Sequence, residues 1–130
     1  MLTIVRGLPG SGKSTFVRDH FPGVFHVEND MLHIKDGAYR FDQSRQMTAV
    51  TWCYEMIERA LEHGMDAVVS NTFTQRRFIL PYVELCEKMG IPYRVIRMET
   101  QYGTIHDVPA DVMKRMQDSF EAWEGEEVVR

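Results

Sequence analysis

From Gly7 to Ser14 the chain reads Gly-Leu-Pro-Gly-Ser-Gly-Lys-Ser, which satisfies G-x-x-x-x-G-K-[ST] at every fixed position. The run before it, Leu2-Thr3-Ile4-Val5, is continuously apolar and β-branched, as suits a strand buried on both faces of a parallel sheet. After it a helix is expected from about Ser14 to His20, stopped at Pro22-Gly23. A strand, a glycine-rich turn and a helix in this order make a phosphate loop. Its glycines let the backbone close around phosphate oxygens, its N–H groups and the helix N-terminus supply positive potential, and Lys13 reaches the β- and γ-phosphates. The Ser14 hydroxyl is placed to ligate Mg²⁺, a hard ion that takes few protein oxygens. Gly7, Pro9, Gly10, Ser11, Gly12, Lys13, Ser14 and Thr15 are therefore the expected site for ATP with Mg²⁺. The motif leaves open what receives the phosphate, since it serves kinases, GTPases and mechanical ATPases alike.

The remainder alternates in the same way. Val24 to Val27 reads as a second strand ending near Asn29-Asp30, and Asp42 is a plausible N-cap for a helix with its stripe on Met47, Val50, Tyr54, Ile57 and Leu61. Ala67 to Ser70 is a third strand. Thr74 is expected to cap a helix facing the core with Phe78, Tyr82, Leu85 and Met89, and Pro81 lies inside that pattern. Tyr93 to Met98 makes a fourth strand, and a last helix is expected from about Pro109 to Trp123 on Val112, Met113, Met116, Phe120 and Trp123. Alternation of this kind implies right-handed crossovers and a mainly parallel sheet of about four strands, covered by helices in a three-layer α/β/α arrangement. Ligands in such sheets bind at the carboxyl ends of the strands, which brings forward Gly7 to Thr15, Asp30 and Asn71-Thr72. One domain is expected over residues 1–123, with a polar, frayed tail over 124–130.

Composition narrows the function classes. Fifteen Lys and Arg against nineteen Asp and Glu leave a net charge of -4, the wrong sign for a chain that holds nucleic acid along a broad basic face. Cys53 and Cys86 form no CxxC pair, so reduced, packed cysteines are expected. No apolar run approaches the roughly 20 residues that span a bilayer, and Leu2 to Val5 is too short for a signal peptide. A cytoplasmic protein is the expectation.

Taken with the loop, Asn29-Asp30, Asp36-Gly37-Ala38-Tyr39-Arg40-Phe41, Ser70-Asn71-Thr72 and Val108-Pro109-Ala110-Asp111-Val112 resemble the kinase domain of the polynucleotide kinase family over about residues 2 to 122. The resemblance implies a P-loop kinase-like fold and Mg²⁺-dependent transfer of the ATP γ-phosphate to a hydroxyl. It also implies that Asp30 is the general base. A carboxylate near the γ-phosphate suits that role, since it can orient the acceptor oxygen for in-line attack; capping the next segment, or orienting Mg²⁺ through water, are the other readings of Asp30.

The chain departs from the family in three places. His33 stands where the phage enzyme has a substrate-holding arginine, and Asn71 where it has an aspartate at the end of the third strand. Between the fourth strand and the last helix, Glu99 to Val108 contains no Lys or Arg, although the family carries a cationic lid there. Replacement cations are sought in Arg97 for catalysis, in Arg76 and Arg77 on the acceptor side with His33 and Asn71, and in Lys114 or Arg115. The expected activity is an ATP-dependent phosphotransferase acting on a nucleic-acid 5′-end, a nucleoside or nucleotide, or another small hydroxyl compound. The rival reading is a nucleotide-binding sensor with little turnover.

Overall fold

A computed structural model describes residues 1–29, 31, 34–35, 38–39, 46–99 and 109–130. The phosphate-loop strand β1 (Leu2–Gly7) lies at the centre of a parallel sheet, between β5 (Ala67–Asn71) and β6 (Tyr93–Met98). β2 (Phe25–Val27) pairs outside β5, and β7 (Glu127–Val129) outside β6, giving five strands in the order β2-β5-β1-β6-β7. A separate antiparallel pair, β3 (Ile34–Lys35) with β4 (Ala38–Tyr39), precedes the second helix. The helices are α1 (Lys13–His20), α2 (Gln46–Glu62), α3 (Arg76–Met89) and α4 (Ala110–Ser119).

Every residue of β1 is buried, as its unbroken apolar run requires of a central strand. Alternation divides its side chains between two cores. Leu2 and Ile4 join Cys53, Ile57, Val69, Ile79 and Tyr82 beneath α2 and α3, whereas Val5 joins Val17, Val68, Ile96 and Met98 on the α1 side. Helices on both faces of the sheet make the expected three layers.

The α2 stripe differs from the expected one. Met47 is 74% exposed and Val50 is also exposed, while Ala49, Cys53, Ile57, Ala60 and Leu61 are buried. In α3 Phe78, expected to face the core, is exposed, while Ile79, Tyr82, Val83, Leu85 and Cys86 face inward, with Pro81 inside the helix. Gln75 rather than Thr74 is the N-cap of α3, and the first-turn amide of Arg76 donates to Glu121 Oε1 at 2.8 Å. Asp42, expected to cap α2, lies outside the described residues.

The sheet has five strands rather than about four because the tail supplies one. α4 stops at Ser119, and Glu127–Val129 then pairs in parallel with Ile96–Met98. The charges that suggested a frayed end are matched: Glu126 pairs with Arg6, Glu127 with Arg94 at 2.8 Å, and Arg130 with Glu99 at 3.0 Å. Val129 packs against the α1-side core. Among the described residues no helix is long and apolar enough to cross a membrane.

Candidate functional site

The loop that follows β1 needs its glycines for two distinct reasons. A Cβ on Gly7 would stand 2.5 Å from Ser11 Oγ and 2.9 Å from the Met98 carbonyl oxygen, so no side chain fits there. Gly12, at φ 83°, is in the left-handed region as the N-cap of α1. No side chain caps this helix, so the amides of its first turn remain available to an anion. Lys13 Nζ donates to the carbonyls of Gly7 and Leu8 at 2.9 and 3.0 Å, which holds the ammonium over the loop.

On one side of the loop, β2 and β5 bring together a chain of polar groups. Ser14 Oγ donates to Glu28 Oε2 at 2.9 Å, and Ser70 Oγ donates to the same oxygen at 3.0 Å. His26 Nε2 lies 2.6 Å from Ser70 Oγ. Because Ser70 has one hydroxyl proton and gives it to Glu28, His26 must carry its proton on Nε2 and donate it to Ser70. Burial lowers the His26 pKa below the ordinary histidine value, against the opposing pull of Glu28. Asn71 Oδ1 accepts the Asn29 backbone N–H at 2.7 Å, so this amide fixes the end of β2 immediately before Asp30. Asp30 and His33 themselves lie outside the described residues, as do residues 100–108 where the lid would fall.

On the other side, a cavity of about 300 Å³ is lined by Leu8, Ser11, Arg97, Met98, Glu99, Gln117 and Phe120. Arg97 is not an unpaired cation. It lies 3.4 Å from Glu99 and 3.6 Å from Glu126, and its guanidinium stacks over Phe120 at 4.5 Å. Arg76 and Arg77 are exposed at the start of α3; Arg76 lies over Trp123 at 5.5 Å, and Arg77 donates to Gln75 at 2.7 Å and lies over Phe78. These contacts do not draw either arginine onto the loop.

A family model described as AAA domain matches residues 2–123. The chain belongs to the AAA domain family. An uncharacterised protein of Pasteurella multocida, PM0531, is similar at 31% identity, over 88% of this chain and 73% of its own length. Among solved structures, a sugar kinase from Janibacter sp. superimposes with a TM-score of 0.65 at 17% identity, covering 98% of this chain and 82% of that one. A chain of the Pnkp1/Rnl/Hen1 RNA repair complex gives a TM-score of 0.70 at 15% identity, covering 92% and 43%. At such identities these two establish a shared P-loop kinase-like fold.

In this AAA domain the loop was visible in the sequence because its parts are contiguous. Glu28 was not singled out. Its signal was a carboxylate two residues before Asp30 at the end of a predicted strand, but its contacts with Ser14 and Ser70 depend on β2 lying beside β5. Arg6 was also passed over; it is completely buried, one residue before the loop.

Proposed function

We propose that the chain is an ATP-dependent phosphotransferase that passes the γ-phosphate to an acceptor hydroxyl. The observation that carries this reading is the uncapped N-terminus of α1, with Lys13 over the loop and Ser14 against Glu28, at the carboxyl ends of the central strands. The fold that the chain shares with a sugar kinase and with part of an RNA repair complex supports it. The polynucleotide-kinase-like class is the finer form of the proposal, with a nucleic-acid 5′-end or a nucleoside as acceptor.

In this mechanism the loop amides and Lys13 bind and orient the phosphates, exchanging the Lys13 contacts to Gly7 and Leu8 for phosphate oxygens. The Ser14 hydroxyl, with the Glu28 carboxylate 2.9 Å away, offers hard oxygen donors that fit Mg²⁺, with Ser14 and Asp30 as its proposed protein ligands. When bound, Mg²⁺ neutralises charge on the phosphates. Asp30 accepts the proton of the acceptor hydroxyl, while Asn71 holds the end of β2 that leads to it. Thr15, Pro9, Gly10 and Ser11 complete the phosphate wall. Arg97 and Phe120 line the cavity beside the loop, and Arg76, Arg77 and His33 belong to the acceptor side.

A sensor with little turnover is the second reading. The engagement of Arg97 by Glu99 and Glu126 favours it, since that guanidinium's charge is already shared. Titration with Mg²⁺-ATP and turnover over a panel of hydroxyl acceptors separate the two. Phosphorylation of one acceptor class supports the transferase, whereas binding without turnover supports the sensor. Lys13→Ala is expected to lower ATP affinity at least tenfold in a folded protein, because the side chain reaches the loop face and not the core; unchanged affinity would refute both readings.

A further inference from the structure

We propose that Glu28, the residue immediately after β2, is the carboxylate that positions Mg²⁺ beside Ser14, taking over a task for which Asn71 on β5 has no charge. The inference rests on the nucleotide-binding reading above and extends it to a residue that no sequence motif marks. Three observations carry it. Glu28 Oε2 lies 2.9 Å from Ser14 Oγ, the hydroxyl that the loop offers to the metal. The adjacent strand ends in neutral Asn71, whose side-chain oxygen is committed to the Asn29 amide at 2.7 Å. Glu28 is also held in place: buried Ser70 donates to the same carboxylate oxygen, and half-buried His26 lies with Nε2 2.6 Å from Ser70 Oγ.

A carboxylate kept by a buried serine, itself backed by a half-buried histidine, does not have to be ordered when the ion arrives, so less conformational entropy is lost on binding. Glu28 side-chain exposure is 21%, which leaves it open to the loop on one side while the Ser70 and His26 contacts cover the other. With nucleotide and Mg²⁺ bound, Ser14 Oγ would serve the ion as a hard oxygen ligand, and Glu28, released from the Ser14 proton, would hold a water of the ion's shell as a hydrogen-bond acceptor. Glu28 is thus a positioning residue, acting on the metal through its water. No bond is made or broken in this exchange.

The test is the Mg²⁺ dependence of ATP binding, measured calorimetrically in excess Mg²⁺ and in EDTA. Glu28→Gln keeps an acceptor for both serines and removes the charge. It is expected to reduce the Mg²⁺-dependent gain in ATP affinity about tenfold or more, with affinity in EDTA unchanged or slightly improved. Adding Asn71→Asp to that variant returns a carboxylate from β5 while keeping an oxygen for the Asn29 amide, and is expected to restore most of the gain. Ser70→Ala, which leaves Glu28 charged but less well held, should lose a few-fold and provides the reading if Glu28→Gln does not fold. A parent-like Mg²⁺ dependence in the folded variants overturns the proposal. Lys13→Ala in the same titrations keeps the two conclusions apart. If it loses ATP in both conditions while Glu28→Gln behaves as the parent, only the role of Glu28 fails; if Lys13→Ala binds normally, the phosphate-loop reading itself fails.

Discussion

A guanidinium without exposed surface is tolerated only when its donors are met, and Arg6 meets that condition through three separate segments. Its Nε and Nη2 donate to the Phe73 carbonyl at 3.1 and 2.7 Å, Nη2 also reaches the Glu121 carbonyl at 2.6 Å, and Nη1 pairs with Glu126 at 2.9 Å. The Phe120 ring lies against one face of the group at 4.2 Å. Burial lowers the Arg6 pKa, and Glu126 works against that shift, so the carboxylate is the main compensation for a desolvated charge. Phe73 follows the Asn71-Thr72 end of β5 at φ 42°, a strained conformation for a residue with a side chain. The two donations from Arg6 to its carbonyl hold it there. Glu126→Gln removes the counter-charge and preserves shape, and is expected to cost about 2–4 kcal/mol. Thermal unfolding checks this: the midpoint should fall by roughly 10 °C, and a fall within a degree or two would mean that Arg6 is compensated by carbonyls alone.

Elements differed in how far the sequence revealed them. β1 and β5 were legible because a strand buried on both faces leaves an apolar run, and β6 because its Val95-Ile96 centre is β-branched and buried, although Arg94 and Arg97 interrupt the run. The stripe of α2 was displaced because its buried face uses Ala49, Cys53 and Ala60, small residues that signal burial weakly, whereas Met47 and Val50 are apolar and exposed. β7 was hidden for another reason. Its segment is charged, and nothing local shows that Glu126, Glu127 and Arg130 each meet an opposite charge on another strand or loop. The loop at Gly7 to Ser14 is a local pattern and was read in full, whereas Glu28 becomes part of the site only through strand order. This account of β7 predicts that a chain ending at Trp123 is less stable than Glu126→Gln, because it loses both the counter-charge of Arg6 and the Glu99 amide bond to Val129 at 2.8 Å. Chemical denaturation of the two variants decides the matter. Equal stability would show that β7 adds nothing beyond Glu126.

At the scale of the molecule, the distribution of cations would set a limit on turnover in the proposed transferase. Phosphoryl transfer depends mainly on positive charge and positioning around the γ-phosphate, and one well-placed arginine is worth roughly 10³–10⁵ in rate. Glu99 to Val108 contributes no Lys or Arg, and Arg97, which lines the cavity beside the loop, is shared between Glu99 and Glu126 and stacked on Phe120. Lys114 and Arg115 are exposed on α4, and Arg115 lies only 3.7 Å from exposed Asp111, a pairing too weak to fix it. Lys13 alone neutralises only part of the triphosphate, so a single chain should turn over slowly. If the missing charge comes from a second copy in trans, specific activity rises with protein concentration. If it comes from α4, Lys114→Ala or Arg115→Ala lowers kcat at any concentration with little effect on ATP affinity. We expect concentration dependence, because Arg97 is committed to Glu99 and Glu126 and, among the described residues, the α4 cations have no contact that would place them over the phosphates. Specific activity measured across a hundredfold range of protein, with Arg97→Ala, Lys114→Ala and Arg115→Ala in parallel, tests this. Fast turnover that ignores both dilution and all three substitutions would show that the loop, Lys13 and the metal are enough.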